Sequence, residues 1–154
     1  NASVDVDSRT CFTYGQGSCV IVIVKSRNQV LRLSHLSASI ATRPDASCHL
    51  AKALPNSQVL PKVDTVLVCH FFVDRAATLL RELAKSRNMN CEIISLRKSQ
   101  TELISYRIDN NDPENPVKIR RDSRLIYGLA PFDSGAAFMP RGRFEPLAPL
   151  GNAI

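Results

Sequence analysis

One thiol and one imidazole carry the chemical interest of this chain. Cys19 lies in the stretch Thr13-Tyr14-Gly15-Gln16-Gly17-Ser18-Cys19-Val20, and His35 follows sixteen residues after it. A free thiol has a pKa near 8.5, and an adjacent imidazolium lowers it enough to form thiolate at neutral pH. A thiolate attacks an ester or carboxamide carbonyl, and the imidazole protonates the leaving group and later activates water. Backbone N–H groups around Gly17, Ser18 and Cys19 supply donors for a tetrahedral oxyanion, because glycine permits the tight turn this requires. The Thr13 hydroxyl is placed to brace that turn or the histidine. No Asp or Glu stands out as a third, orienting group.

The elements around these residues must bring them together. Val20-Ile21-Val22-Ile23-Val24 is continuously β-branched and reads as a strand buried on both faces. Lys25 to Gln29 is polar and turn-like, and Val30 to Leu36 alternates as a half-buried strand does. A hairpin with Val24 opposite Val30 puts Cys19 opposite His35, where Cβ atoms stand about 4.5–5.5 Å apart. Slipping the register by one residue turns His35 to the other face. Each residue has a plainer role available: a small core thiol, a turn glycine, a structural histidine. Their combination is what points to catalysis.

Farther along, Pro44-Asp45 can start a short helix that Pro55 ends. Val63 to Phe72 reads as another buried strand. Asp74 to Arg87 is the clearest helix, with Ala76, Ala77, Leu79, Leu80, Leu83 and Ala84 on one face and Asp74 as N-cap. Cys91–Arg97 and Glu102–Asp109 read as strands paired with each other, and Val117–Arg121 and Arg124–Tyr127 as weaker strands. Residues 1–9 are polar and read as loose. Six of the nine prolines lie between residues 113 and 149, so residues 128–154 read as a tail of surface loops or a linker behind a core of about 10–127. Phe132, Phe138 and Phe144 recur in it at intervals of six, as anchors to the core or to a partner. The 154 residues suffice for a single domain.

Charge and cysteines narrow the class. The net charge is +6, which favours acidic partners in general. The cations are scattered apart from Lys118, Arg120, Arg121 and Arg124, and no compact nucleic-acid motif occurs, so nucleic acid is not the expected partner. The five cysteines include no CxxC pair, which argues against zinc. Cys69 and Cys91 lie in apolar runs typical of buried reduced thiols, so a reducing compartment is expected. No apolar run reaches membrane-span length or forms a signal-peptide core. The chain opens on Asn and reads as a possible piece of a longer protein. His49, next to Cys48, diverges from it in direction, and His70 is expected to cap its strand or face solvent.

The block Thr13-x-Gly15-x-Gly17-Ser18-Cys19-Val20, with Ser34-His35-Leu36 at the end of the following strand, resembles the signature of the chemoreceptor glutamine deamidase (CheD) family. The resemblance implies that Cys19 is the nucleophile, His35 the general base and Thr13 the third active-site residue. It implies an α+β fold, a layered α/β/β sandwich with a mostly antiparallel β core flanked by two helices, shared with toxins of the cytotoxic necrotizing factor type. More faintly it extends to about residue 121. The chain departs from the family at His70-Phe71-Phe72, where a glycine pair is usual, at Ser95 to Gln100, which replaces a glycine-rich loop, and at Ser37-Ala38 in place of Leu-Pro. The expected activity is that of a protein-glutamine deamidase (glutaminase), a divergent one that suits an effector or toxin domain acting on a host protein. It needs no metal or organic cofactor and acts on a protein substrate, a chemoreceptor or a host protein. The setting would be the bacterial cytoplasm or a host cytosol. Methylester hydrolysis fits the same site. Alternatives are a cysteine peptidase or transglutaminase of like mechanism, and a non-catalytic protein-binding module.

Overall fold

The computed structural model describes residues 1–6, 10–16, 18–27, 29–56, 58–59, 62–71, 75–96, 102–123 and 143–147. Among these residues, nine strands and two α-helices follow in the order β1 (Ala2–Asp5), β2 (Cys11–Gln16), β3 (Val20–Ser26), β4 (Gln29–Leu36), α1 (Ala46–Ala53), β5 (Thr65–His70), α2 (Arg75–Ser86), β6 (Asn90–Ser95), β7 (Glu102–Ile108), β8 (Val117–Ser123) and β9 (Glu145–Pro146). They form a five-stranded sheet, ordered β1-β4-β3-β5-β6, and a four-stranded sheet, ordered β2-β7-β8-β9. The fold is an α+β sandwich.

The β-branched run at its centre explains the layering. Val20 to Val24 are all essentially inaccessible to solvent. Ile21 and Ile23 point into the core between the two sheets, with Leu33, Leu67, Cys69, Ile104, Tyr106 and Ile119. Val20, Val22 and Val24 point the other way, into a second core with Leu36, Leu54, Val66, Val68 and Leu80. The period-2 alternation of a strand thus divides one apolar run between two cores. Helix α2 covers the second core with Ala76, Ala77, Leu80 and Ala84, and α1 contributes Leu50 and Ala53. Pro55 follows α1 closely, where a helix cannot continue. Asp74 lies outside the described residues.

Four features depart from the pattern expected of the sequence. The first residues are not loose: β1 pairs antiparallel with β4, Ala2 opposite His35 and Asp5 opposite Arg32, and the Asp5 carboxylate accepts from Arg32 Nε at 2.7 Å. The structural core therefore starts before residue 10. The glycine-containing block is a strand rather than a turn through Gln16, because β2 pairs with β7. β6 and β7 are not partners. β6 runs parallel to β5 at the edge of the first sheet, as a strand reached through a helix does, whereas β7 lies between β2 and β8 in the second sheet. Finally, the tail contributes structure: β9 pairs with β8, and Leu147 is buried between the sheets. Arg124–Tyr127 and most of the tail, including Phe132 and Phe138, lie outside the described residues.

The β3–β4 hairpin differs in register too. Ser26 pairs with Gln29 across a two-residue turn, in which Arg27 takes a φ of 54°. Its strained backbone is held by Asp64, whose carboxylate accepts the Arg27 N–H at 2.8 Å. The turn sets Lys25 opposite Val30, but the next pair is Val24 with Arg32. Leu31 is therefore an extra residue on β4, a β-bulge, and the Val6 N–H takes its carbonyl at 2.9 Å. Beyond the bulge Ile21 stands opposite His35, so the expected direct opposition of Cys19 and His35 is not formed. The bulge nonetheless decides the face of His35. Without it, His35 would pair with Val20 and face the helices. With it, His35 shares the face of Ile21, toward the second sheet.

Candidate active site

His35 meets the second sheet through Thr13. Thr13 Oγ1 and His35 Nδ1 are 2.8 Å apart, joining β2 to β4 across the sandwich. Both side chains are half-buried. Burial of the imidazole lowers the pKa of His35 below 6.5. His35 is therefore neutral at neutral pH. The standing imidazolium assumed from sequence is not favoured here, and a neutral general base is.

Cys19 immediately precedes β3 and is half-buried. Two residues before Ile21, it falls by strand alternation on the face that Ile21 shares with His35. Such diagonal positions have Cα atoms about 7–8 Å apart, a span that long side chains bridge. Alternation carried one residue beyond β3 thus assigns Cys19 a position diagonal to His35, in place of direct opposition. Ser18 is exposed at the bend before Cys19. Gly17 lies outside the described residues, so the proposed oxyanion turn is described only at Ser18 and Cys19.

The buried Gln16 is the residue that sequence reasoning passed over. Its Nε2 donates to the Cys19 carbonyl at 2.8 Å and to the Cys69 carbonyl at 3.0 Å. Its Oε1 accepts the hydroxyl of the fully buried Tyr106. A polar residue between two glycines gives little sign of burial, and only the neighbouring strands reveal it.

The other candidate groups fall elsewhere. None of the five cysteines forms a disulfide. Burial pushes the Cys69 thiol up to about 12 and raises Cys91 as well, so neither is disposed to ionise. His70 is neither a simple cap nor solvent-facing: it is buried, and its Nε2 lies 3.1 Å from Ser95 Oγ. His49 Nε2 contacts the Asp45 carboxylate at 2.8 Å across one helical turn, away from any thiol pairing. Phe71 packs against the core between the sheets. No group of three or more His, Cys, Asp or Glu side chains suited to a metal occurs among the described residues.

The basic cluster does not form one patch. Lys118 pairs with Asp112 at 2.8 Å, Arg120 is buried against Asp122, and Arg121 lies 3.9 Å from Glu102. Arg124 lies outside the described residues. An open polar cleft of about 790 Å³ is lined by Ser26, Arg27, Gln29, Lys62, Asp64 and Asn110. It sits at the hairpin end of β3, the end opposite Cys19. Among the described residues no helix is long and apolar enough to cross a membrane. No family model, curated protein or solved structure matches the chain.

Proposed function

We propose that the protein is a protein-glutamine deamidase with Cys19 as nucleophile, His35 as general base and Thr13 as the residue that orients the base. The observation that carries this reading is the Thr13–His35 contact at 2.8 Å, made on the face to which strand alternation assigns Cys19. With Nδ1–H donated to Thr13, Nε2 of the neutral imidazole is left to accept the thiol proton. The thiolate then adds to the glutamine Cδ. The tetrahedral intermediate collapses to a thioester as ammonia departs with the proton returned from His35. His35 next removes a proton from water, hydroxide attacks the thioester, and glutamate leaves as Cys19 is reprotonated. A glutamyl methyl ester would react the same way, releasing methanol. The substrate is a folded protein, a chemoreceptor or the target of a delivered effector, met in bacterial cytoplasm or host cytosol. The block Thr13-x-Gly15-x-Gly17-Ser18-Cys19 and its likeness to the chemoreceptor deamidases support the choice of amide over peptide chemistry.

The test is incubation of the wild type and of Cys19→Ser with candidate chemoreceptor and host GTPase substrates. The wild type is expected to release ammonia and add about one dalton per modified glutamine, and the variant neither. Equal activity in both ends the assignment. Cleaved peptides would point to a peptidase and incorporated amines to a transglutaminase.

Thr13→Val keeps the shape of the side chain and removes its hydroxyl. We expect kcat to fall roughly tenfold to a hundredfold, because the base loses its orientation rather than its chemistry. Steady-state kinetics would check this, and an unchanged kcat would remove Thr13 from the site.

A further inference from the structure

Thr13 and Gln16 lie on the same strand, three residues apart. In a regular strand an odd separation sends two side chains to opposite faces. Here Thr13 pairs with Tyr106 and Gln16 with Ile104, so β2 carries one more residue than β7 between these rungs. The irregularity falls at Tyr14-Gly15, and glycine is the residue that most readily accommodates a bulge. Its effect is that both Thr13 and Gln16 reach into the space between the sheets. One holds the base, and the other holds the main chain of the nucleophile.

We propose that Gln16 is a positioning residue that fixes Cys19 relative to His35, so that β2 sets the spacing of the reacting pair from the opposite sheet. The proposal rests on the assignment of Cys19 as nucleophile. The Gln16 amide uses both its donors on main-chain carbonyls, those of Cys19 just before β3 and of Cys69 on β5. Tyr106 donates to its oxygen and so determines which way the amide faces. Turning the amide over would set its oxygen against two carbonyl oxygens, which is repulsive. The clamp is buried, where hydrogen bonds are electrostatically stronger than in water. Cys19 stands just before the first rung of β3, so its carbonyl is the natural point at which to secure it. Thr13 meanwhile holds His35 from the same strand, and a displacement of either contact changes the distance over which the proton must pass. The titratable neighbours are His35 on β4, Cys69 and Tyr106 behind the clamp, and His70 at the end of β5.

The experiment uses the full chain with Gln16→Met, which keeps the shape and loses the amide, and Tyr106→Phe, which keeps the amide and loses what orients it. Two readouts are followed beside the melting temperature. One is the iodoacetamide alkylation rate of each cysteine, mapped by peptide mass, at neutral pH and at its alkaline plateau. The other is the split of kcat and KM for deamidation. In Gln16→Met the neutral-to-plateau ratio for Cys19 is expected to fall severalfold and kcat roughly tenfold to a hundredfold, with KM within about twofold. Alkylation of the exposed Cys48 should not change, and Tyr106→Phe should give a smaller loss of the same kind. A lower melting temperature with an unaltered Cys19 ratio and kcat in both variants would overturn the proposal and leave Gln16 a structural residue. If Gln16→Met does not fold, Tyr106→Phe decides by the same criteria. A wild type that alkylates normally at Cys19 but deamidates nothing, like Cys19→Ser, would instead count against the enzymatic reading, which the alkylation arm tells apart.

Discussion

Replacing His35 by glutamine is expected to cut the deamidation rate roughly a hundredfold to ten-thousandfold while leaving the sandwich folded. Glutamine retains a hydrogen-bonding partner for Thr13 Oγ1 and occupies a similar volume, so the loss isolates proton transfer. The pH dependence follows from the environment of the imidazole. Burial lowers its pKa below 6.5. The active, neutral base therefore persists somewhat below pH 6.5, and the acid limb of the wild-type activity profile should lie under that value. His35→Gln should lose this limb altogether. The same depression has a consequence for stability. Because the folded protein holds the proton less well than the unfolded chain, its contribution is present above pH 6.5 and is lost as pH falls toward the folded-state value. Denaturant midpoints measured from neutral pH into that window should fall for the wild type and change less for His35→Gln. A variant with wild-type kcat would remove His35 from the reaction, whatever its effect on stability.

Asp122→Ala is expected to cost about 3–5 kcal/mol of folding stability, the range seen when one partner of a buried ion pair is removed. The site is on the far side of the second sheet from the candidate active site. Arg120 Nε donates to Asp122 Oδ1 at 2.6 Å, with both side chains almost fully buried. Arg120 Nη2 and the buried Ser105 hydroxyl both donate to Oδ2, at 3.1 and 2.6 Å. The guanidinium also lies 4.7 Å from the centre of the Phe144 ring. Phe144 in turn meets Phe12 edge-on at 6.1 Å, and Phe12 stacks on Tyr14 at 5.9 Å. Removal of the carboxylate leaves a buried cation and a buried hydroxyl without the acceptor they share. Against a typical total of about 5–15 kcal/mol, this is a large fraction. The double variant Arg120→Met with Asp122→Leu should recover much of the loss, since well-packed apolar replacements of buried pairs are often tolerated. Equilibrium urea unfolding measures both. A change below about 1 kcal/mol for Asp122→Ala would show that the pair contributes little. The arrangement also gives Phe144 its place: it packs against Phe12 and Arg120 and so anchors its segment of the tail to the second sheet.

Local chemistry was sufficient for much of the architecture. Val20 to Val24 announce a strand buried on both faces, Ala76 to Ala84 a helix with one apolar side, and Pro55 the end of α1, because each depends on the period of a single element. The residue types of the candidate site, Cys19, His35 and Thr13, were equally legible, since thiol, imidazole and hydroxyl have their chemistry wherever they stand. What the chain did not disclose is everything that depends on a second strand. Residues 2–5, Ala-Ser-Val-Asp, become β1 only because β4 offers an edge. β6 and β7 alternate alike, yet belong to different sheets. The side that His35 faces is decided by one bulged residue, Leu31, and the inward turn of Gln16 by another irregularity at Tyr14-Gly15. A bulge adds a residue without changing composition or hydrophobicity, and it reverses every side chain beyond it. Its presence is settled by how two strands close against their neighbours, which is a tertiary quantity that no single run of residues contains.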